Sequence, residues 1–130
     1  MKNRMGKDEL IKLIANLKLC KDEYWILSSS ALVIRGIYPD AGDLDIAVTE
    51  TGLEELKRNY NVKEKENGWY FVSDKIECVV DQKESWKIEE VEGYNLESIE
   101  KYYRYLKDSS REKDRKRIPI IEDYMRSRKK

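Results

Sequence analysis

Asp43-Leu44-Asp45 is the part of the sequence best suited to chemistry. Leu44, Ile46 and Val48 alternate with Asp43, Asp45 and Ala47, the period-two pattern of a strand, so both carboxylates project from one face. Two neighbouring carboxylates repel unless something positive sits between them, and oxygen donors of this kind are what magnesium prefers. The same spacing also fits a pair of solvated aspartates on an edge strand. The pair therefore takes its meaning from the elements that position it.

Those elements can be read in order. Leu10, Ile11, Ile14 and Leu17 recur at helical spacing and predict an amphipathic first helix. Tyr24-Trp25-Ile26-Leu27 reads as a buried strand ending in the turn Ser28-Ser29-Ser30, and Ala31-Leu32-Val33-Ile34-Arg35 as a helix closed by Gly36. Pro39-Asp40-Ala41-Gly42 supplies turn chemistry before the aspartate strand. Thr51 with Glu54 forms a capping box for a third helix carrying Leu53, Leu56 and Tyr60. Asn67-Gly68 predicts a hairpin between strands at 61–65 and 69–72, and Lys75 to Val80 alternates as another core strand. Trp86-Lys87-Ile88 reads as a short edge strand, and Asn95 as the cap of a helix whose face is Leu96, Ile99, Tyr103 and Leu106. Ser110 is placed to cap a basic last helix that Pro119 kinks or restarts, with residues 126–130 as a frayed basic tail.

Bulk properties narrow the field. A chain of 130 residues suits one domain spanning residues 1–130. Lys plus Arg and Asp plus Glu are equal at 26 each, so no global field argues for nucleic acid or an acidic membrane, and any such partner must be recognised locally. The chain contains no histidine, and Cys20 and Cys78 stand far apart, which argues against a zinc site and against histidine acid-base catalysis. Both thiols are expected to be buried and inert. No stretch approaches the length of a membrane span or the apolar segment of a leader, so a cytoplasmic protein is expected. Trp25 and Trp86 read as packing residues, while Trp69 and Tyr70 beside the hairpin turn are candidates to stack an adenine.

The ordered set YWIL, SSS, ALVIRG and GDLDIAV resembles the nucleotidyltransferase superfamily, whose pattern is a hydrophobic strand, a Gly-Gly or Gly-Ser turn opening a helix, and a downstream strand with two acidic residues at alternate positions. In order of elements the resemblance covers roughly residues 10 to 125, and its specific motifs lie in Ser28 to Val48 and Lys75 to Val80. It implies an α/β (α+β) nucleotidyltransferase-like fold, a small mixed β-sheet flanked by helices, with C-terminal helices. Among small relatives it is similar to the AbiEii- and MNT-type antitoxin and the antibiotic nucleotidyltransferase groups. By this resemblance Asp43 and Asp45 ligate magnesium, as one ion or two, together with the phosphates of ATP or another NTP, and Glu77 in KIECVV is a third metal ligand or the base. Asp81 is the alternative third carboxylate. Ser28, Ser29 and Ser30 are expected to face the triphosphate, and Lys107, Arg111 and Lys113 to contact phosphate, with Asp114 paired to a neighbouring cation. Serine stands at Ser28 where the family usually has glycine, a residue that lets the backbone approach phosphate closely.

Two other users of an acidic pair fit poorly. A haloacid-dehalogenase phosphatase needs a threonine-bearing loop directly after the pair, where this chain has Ile46-Ala47-Val48, and a glycosyltransferase of this type needs a chain about twice as long. The alternative to catalysis is a binding or regulatory module of the same fold, such as an antitoxin acting by contact. As acceptor or partner, the resemblance implies a helical toxin protein or a small molecule such as an aminoglycoside or lincosamide.

Overall fold

Leu44, Ile46 and Val48 are completely buried, and this row of branched side chains makes β2 (Leu44–Val48) the centre of the structure. The computed structural model describes residues 4–81 and 87–128. The chain divides into two compact units, Met1–Glu97 and Ser98–Lys130.

The first unit holds a seven-stranded mixed sheet in the order β3-β4-β5-β2-β1-β7-β6. Its strands are β1 (Tyr24–Ile26), β2, β3 (Lys63–Glu64), β4 (Trp69–Ser73), β5 (Ile76–Val80), β6 (Ile88–Val91) and β7 (Tyr94–Glu97). β2 runs antiparallel to β1 and parallel to β5, and β1 runs parallel to β7. The helices are α1 (Lys7–Ala15), α2 (Ser28–Ile34) and α3 (Glu50–Asn59). Leu10 and Ile14 of α1, Ala31, Val33 and Ile34 of α2, and Leu53 and Leu56 of α3 join one core with Ile26, Leu44, Ile46, Val48, Ile76, Cys78 and Leu96 of the sheet. Because successive strand side chains alternate, the opposite face carries a smaller cluster of Trp25, Leu27 and Ala47, packed by Trp69, Val79 and Ile88.

The hairpin expected at Asn67-Gly68 forms between β3 and β4, and both turn residues take left-handed backbone angles, φ 63 and φ 81. Other expectations need correction. α3 is capped by Thr49, whose hydroxyl accepts from the Gly52 N–H at 3.0 Å, while Thr51 lies inside the helix. Thr49 also hydrogen-bonds Glu23 just ahead of β1, an anchor that Thr51 lacks. Asn95 caps no helix. It belongs to β7, which pairs with β6 through a turn at Glu92 (φ 54) and Gly93 (φ 87). Trp86 and the other residues 82–86 lie outside the described residues, as do residues 1–3 and 129–130.

The second unit contains α4 (Ile99–Asp108) and α5 (Glu112–Arg128). Ser98 caps α4, accepting from the Lys101 N–H, and Ile99, Tyr102 and Leu106 form its buried face. Tyr103 is instead half-buried, and its hydroxyl donates to Glu122 at 2.7 Å, which raises the phenol's pKa. α5 continues through Pro119 as one helix. Its entry is organised by Ser109 rather than Ser110. The Ser109 hydroxyl donates to the buried Asp114 carboxylate at 2.8 Å and accepts from the Arg111 N–H. Among the described residues no helix is long and apolar enough to cross a membrane.

The two thiols part company. Cys78 is fully buried on β5, and burial pushes its pKa up to about 12, whereas Cys20 is exposed. Cys20 falls outside any periodic element, so nothing forces its side chain inward. One thiol is therefore expected to react rapidly with a disulfide reagent at pH 8, and the second only after unfolding, with Cys20→Ser removing the fast reaction. The stability gained by keeping Cys78 protonated is complete below about pH 8.5, where an unfolded thiol ionises, and is lost as pH rises from there toward 12.

Candidate functional site

The carboxylates are set by strand register. β2 lies between β5 and β1, so it is an interior strand and the solvated-edge explanation of the acidic pair fails. On the face opposite α1, α2 and α3, Asp45 stands directly across from Glu77 on β5. One step further along the same two strands Ala47 faces Val79, with Trp69 beyond it on β4 and Trp25 on β1. An acidic row thus lies beside an apolar row. Asp43 precedes β2 by one residue and is half-buried like Asp45 and Glu77. Asp81 follows β5 and its N–H donates to the Val48 carbonyl, at the opposite end of β2 from Asp43. Register therefore brings Glu77, not Asp81, next to Asp45.

Ser30 ties helix to strand. Completely buried, its hydroxyl donates to the Asp43 carbonyl at 2.8 Å and accepts from the Asp45 N–H at 3.1 Å. The Leu27 N–H donates to the Asp45 carbonyl at 2.9 Å, so the turn into α2 holds the aspartate segment from both sides. The Asp43 carbonyl and both peptide groups of Asp45 thus have partners, which fixes the backbone that carries the carboxylates.

Ser28 and Ser29 open α2 and are half-buried. The Ser28 N–H, expected to face a phosphate, donates to a carboxylate oxygen of Glu97 at 2.6 Å. Glu97 is only 4% exposed, and sequence reading missed it because it comes from β7, distant in the chain. Ser28 also has φ 56, the left-handed region that glycine adopts freely. Glycine is the residue that would take this backbone angle without strain. Ser28→Gly is expected to fold without loss of stability, whereas Ser28→Val should cost about 1–2 kcal/mol by urea denaturation, because a β-branched residue tolerates that backbone badly.

A pocket of about 260 Å³ is lined by Asp45, Glu77, Lys65, Glu66, Asn67 and Trp69. The Lys65 ammonium lies 2.6 Å from Glu77 and offsets part of the repulsion between the two acids. Of the two aromatic candidates Trp69 lines this pocket, whereas Tyr70 packs against the main core on the other face. Among the described residues no group of three or more His, Cys, Asp or Glu side chains converges as a metal cage. The donors present are carboxylate oxygens, Asp45 and Glu77 in register, with Asp43 two residues before Asp45 in the chain. Such a set suits magnesium, which is commonly held by one or two carboxylates with phosphate oxygens and water completing its shell.

The remaining candidates lie in the second unit. Lys107 is exposed near the end of α4, its ammonium 5.6 Å from the centre of the Tyr103 ring. Arg111 pairs with Asp114 at 3.6 Å, as expected for that aspartate, and Lys113 is exposed in the first turn of α5. Comparison with family models, with curated proteins and with solved structures finds no match to this chain.

Proposed function

We propose that the protein is a magnesium-dependent nucleotidyltransferase that moves a nucleoside monophosphate, AMP by default, from the triphosphate to a hydroxyl acceptor. The observation that carries this reading is the pairing of Asp45 with Glu77 beside a backbone clamped by Ser30. In the proposed reaction the acceptor oxygen bonds to the α-phosphorus, the bond from that phosphorus to the β-bridging oxygen breaks, and pyrophosphate leaves. Asp45 and Asp43 are the ligands for magnesium, which when bound neutralises phosphate charge. Glu77 serves as a further ligand or takes the acceptor proton. Trp69 offers a face for the base. The acceptor is a hydroxyl of a partner protein, such as a helical toxin, or of a small molecule.

The test is to incubate the protein, magnesium and lysate of its own source with ATP labelled at the α- or the γ-phosphate, with Asp45→Asn alongside. Transfer of the α label alone, lost in the variant, supports the reading and tags the acceptor. A second reading, a non-catalytic binding or regulatory module, is favoured by the Glu97 carboxylate on the Ser28 N–H, the donor that the first reading assigns to phosphate. Absence of transfer from either label would favour this module.

A further inference from the structure

The charge balance of the whole chain conceals a segregation. Ser98–Lys130 carries 12 Lys and Arg against 6 Asp and Glu, while Met1–Glu97 carries 14 against 20, so the second unit is as basic as the first is acidic. A net charge of +6 over so short a stretch attracts a polyanion, whatever the total.

An aromatic platform stands within this basic unit. Tyr105 is 50% exposed, the most open large hydrophobic residue among the described residues. Its ring stacks on that of Tyr102, with centroids 6.0 Å apart and planes 14° from parallel. Tyr102 is buried and its hydroxyl accepts from Arg117 at 2.9 Å, so Tyr105 rests on a fixed base and has little freedom to lose on binding. Arg104, next to it on α4, is exposed and has no ion-pair partner among the described residues. Arg104 lies on the side of α4 opposite the buried Ile99, Tyr102 and Leu106, and Tyr105 lies on its flank beside Tyr102, with Lys101 one turn before it. An open ring with cations beside it is a combination that holds single-stranded nucleic acid, since every base has a face to stack and every linkage a phosphate to pair.

We propose that this face of α4 binds single-stranded nucleic acid, with a base stacked on Tyr105 and the adjoining phosphate held by Arg104. The proposal concerns the second unit alone and does not depend on nucleotidyl transfer. The test is fluorescence anisotropy of the full chain with a fluorescein-labelled single-stranded RNA of mixed sequence. Single-stranded DNA of the same sequence and heparin, a polyanion without bases, are run in parallel. Either nucleic acid is expected to bind more tightly than heparin, and comparing the two strands identifies the sugar preferred. Tyr105→Ala should weaken binding about tenfold and Tyr105→Phe hardly at all. Arg104→Gln should lower the slope of log affinity against log salt by about 0.7, the loss of one phosphate contact. Because both side chains are exposed, circular dichroism of the variants should match the parent. The proposal is overturned if neither strand binds at low salt, if heparin binds equally well and Tyr105→Ala changes nothing, or if only an acidic peptide such as polyglutamate binds.

Discussion

Asp45→Asn is expected to cut α-phosphate transfer by about a thousandfold, the scale on which a single preorganised electrostatic contact acts in a reaction of this kind. The amide keeps the shape of the carboxylate and removes its charge, so the fold should persist. Stability should even rise slightly, by a few tenths of a kcal/mol, because Asp45 faces Glu77 directly and like charges across neighbouring strands repel. Loss of activity with no loss of stability is the signature of a residue held in place for chemistry. Magnesium should raise the melting temperature of the parent and leave the variant unmoved, since only a folded state that binds the ion is stabilised by it. Full transfer by the variant would sink the metal-site reading. Glu77→Gln divides the two roles open to Glu77. As the base, its loss lowers kcat far more than nucleotide affinity, and as a ligand it lowers both together.

Ile46→Ala should have the largest effect on stability, about 3–4 kcal/mol in urea denaturation. Ile46 is fully buried between Asp45 and Ala47 and points the opposite way, into the core shared with α1, α2 and α3. Removing three carbons there sacrifices transfer energy and leaves a cavity in the middle of the sheet. With total stability of typical domains at about 5–15 kcal/mol, this is a large fraction. An unchanged slope of free energy against urea would assign the loss to the folded state. A cost under about 1 kcal/mol would mean that the core collapses around the missing atoms and that β2 is less firmly packed than its burial implies.

Local patterns were legible in the sequence, and contacts between distant segments were not. The run from Tyr24 to Val48 announced itself through alternation, a small-residue turn and a glycine stop, and Asn67-Gly68 announced its hairpin. Asn95 and Leu96 misled because Leu96 and Ile99 are spaced like a helix face, while pairing of Leu96 with Ile26 seventy residues away decides for strand. Thr51 was read as the cap, and what favours Thr49 instead is its bond to Glu23 on another element. The site shows the same division. Its acids were visible one by one, whereas the Ser30 bridge, the Lys65 partner of Glu77 and the Glu97 contact with Ser28 all cross between elements. Segregation of charge was present in the composition but cancelled in its sum.

The register that joins Asp45 to Glu77 has a consequence for how the protein comes into being. The two residues are 32 positions apart and meet through a parallel pairing that no short turn can template. Closing so long a loop must precede any reward from the contact, so the acidic row is expected to assemble among the last events of folding. A nascent chain that has emerged only through β2 displays both aspartates and can pair β2 with β1, yet it lacks β5 and with it Glu77. Slippage by one residue would turn Leu44 and Ile46 outward and Asp45 into the core, an arrangement of prohibitive cost. The pocket is thus all or nothing, and ligand capture there would report on the completeness of the fold as directly as on its chemistry.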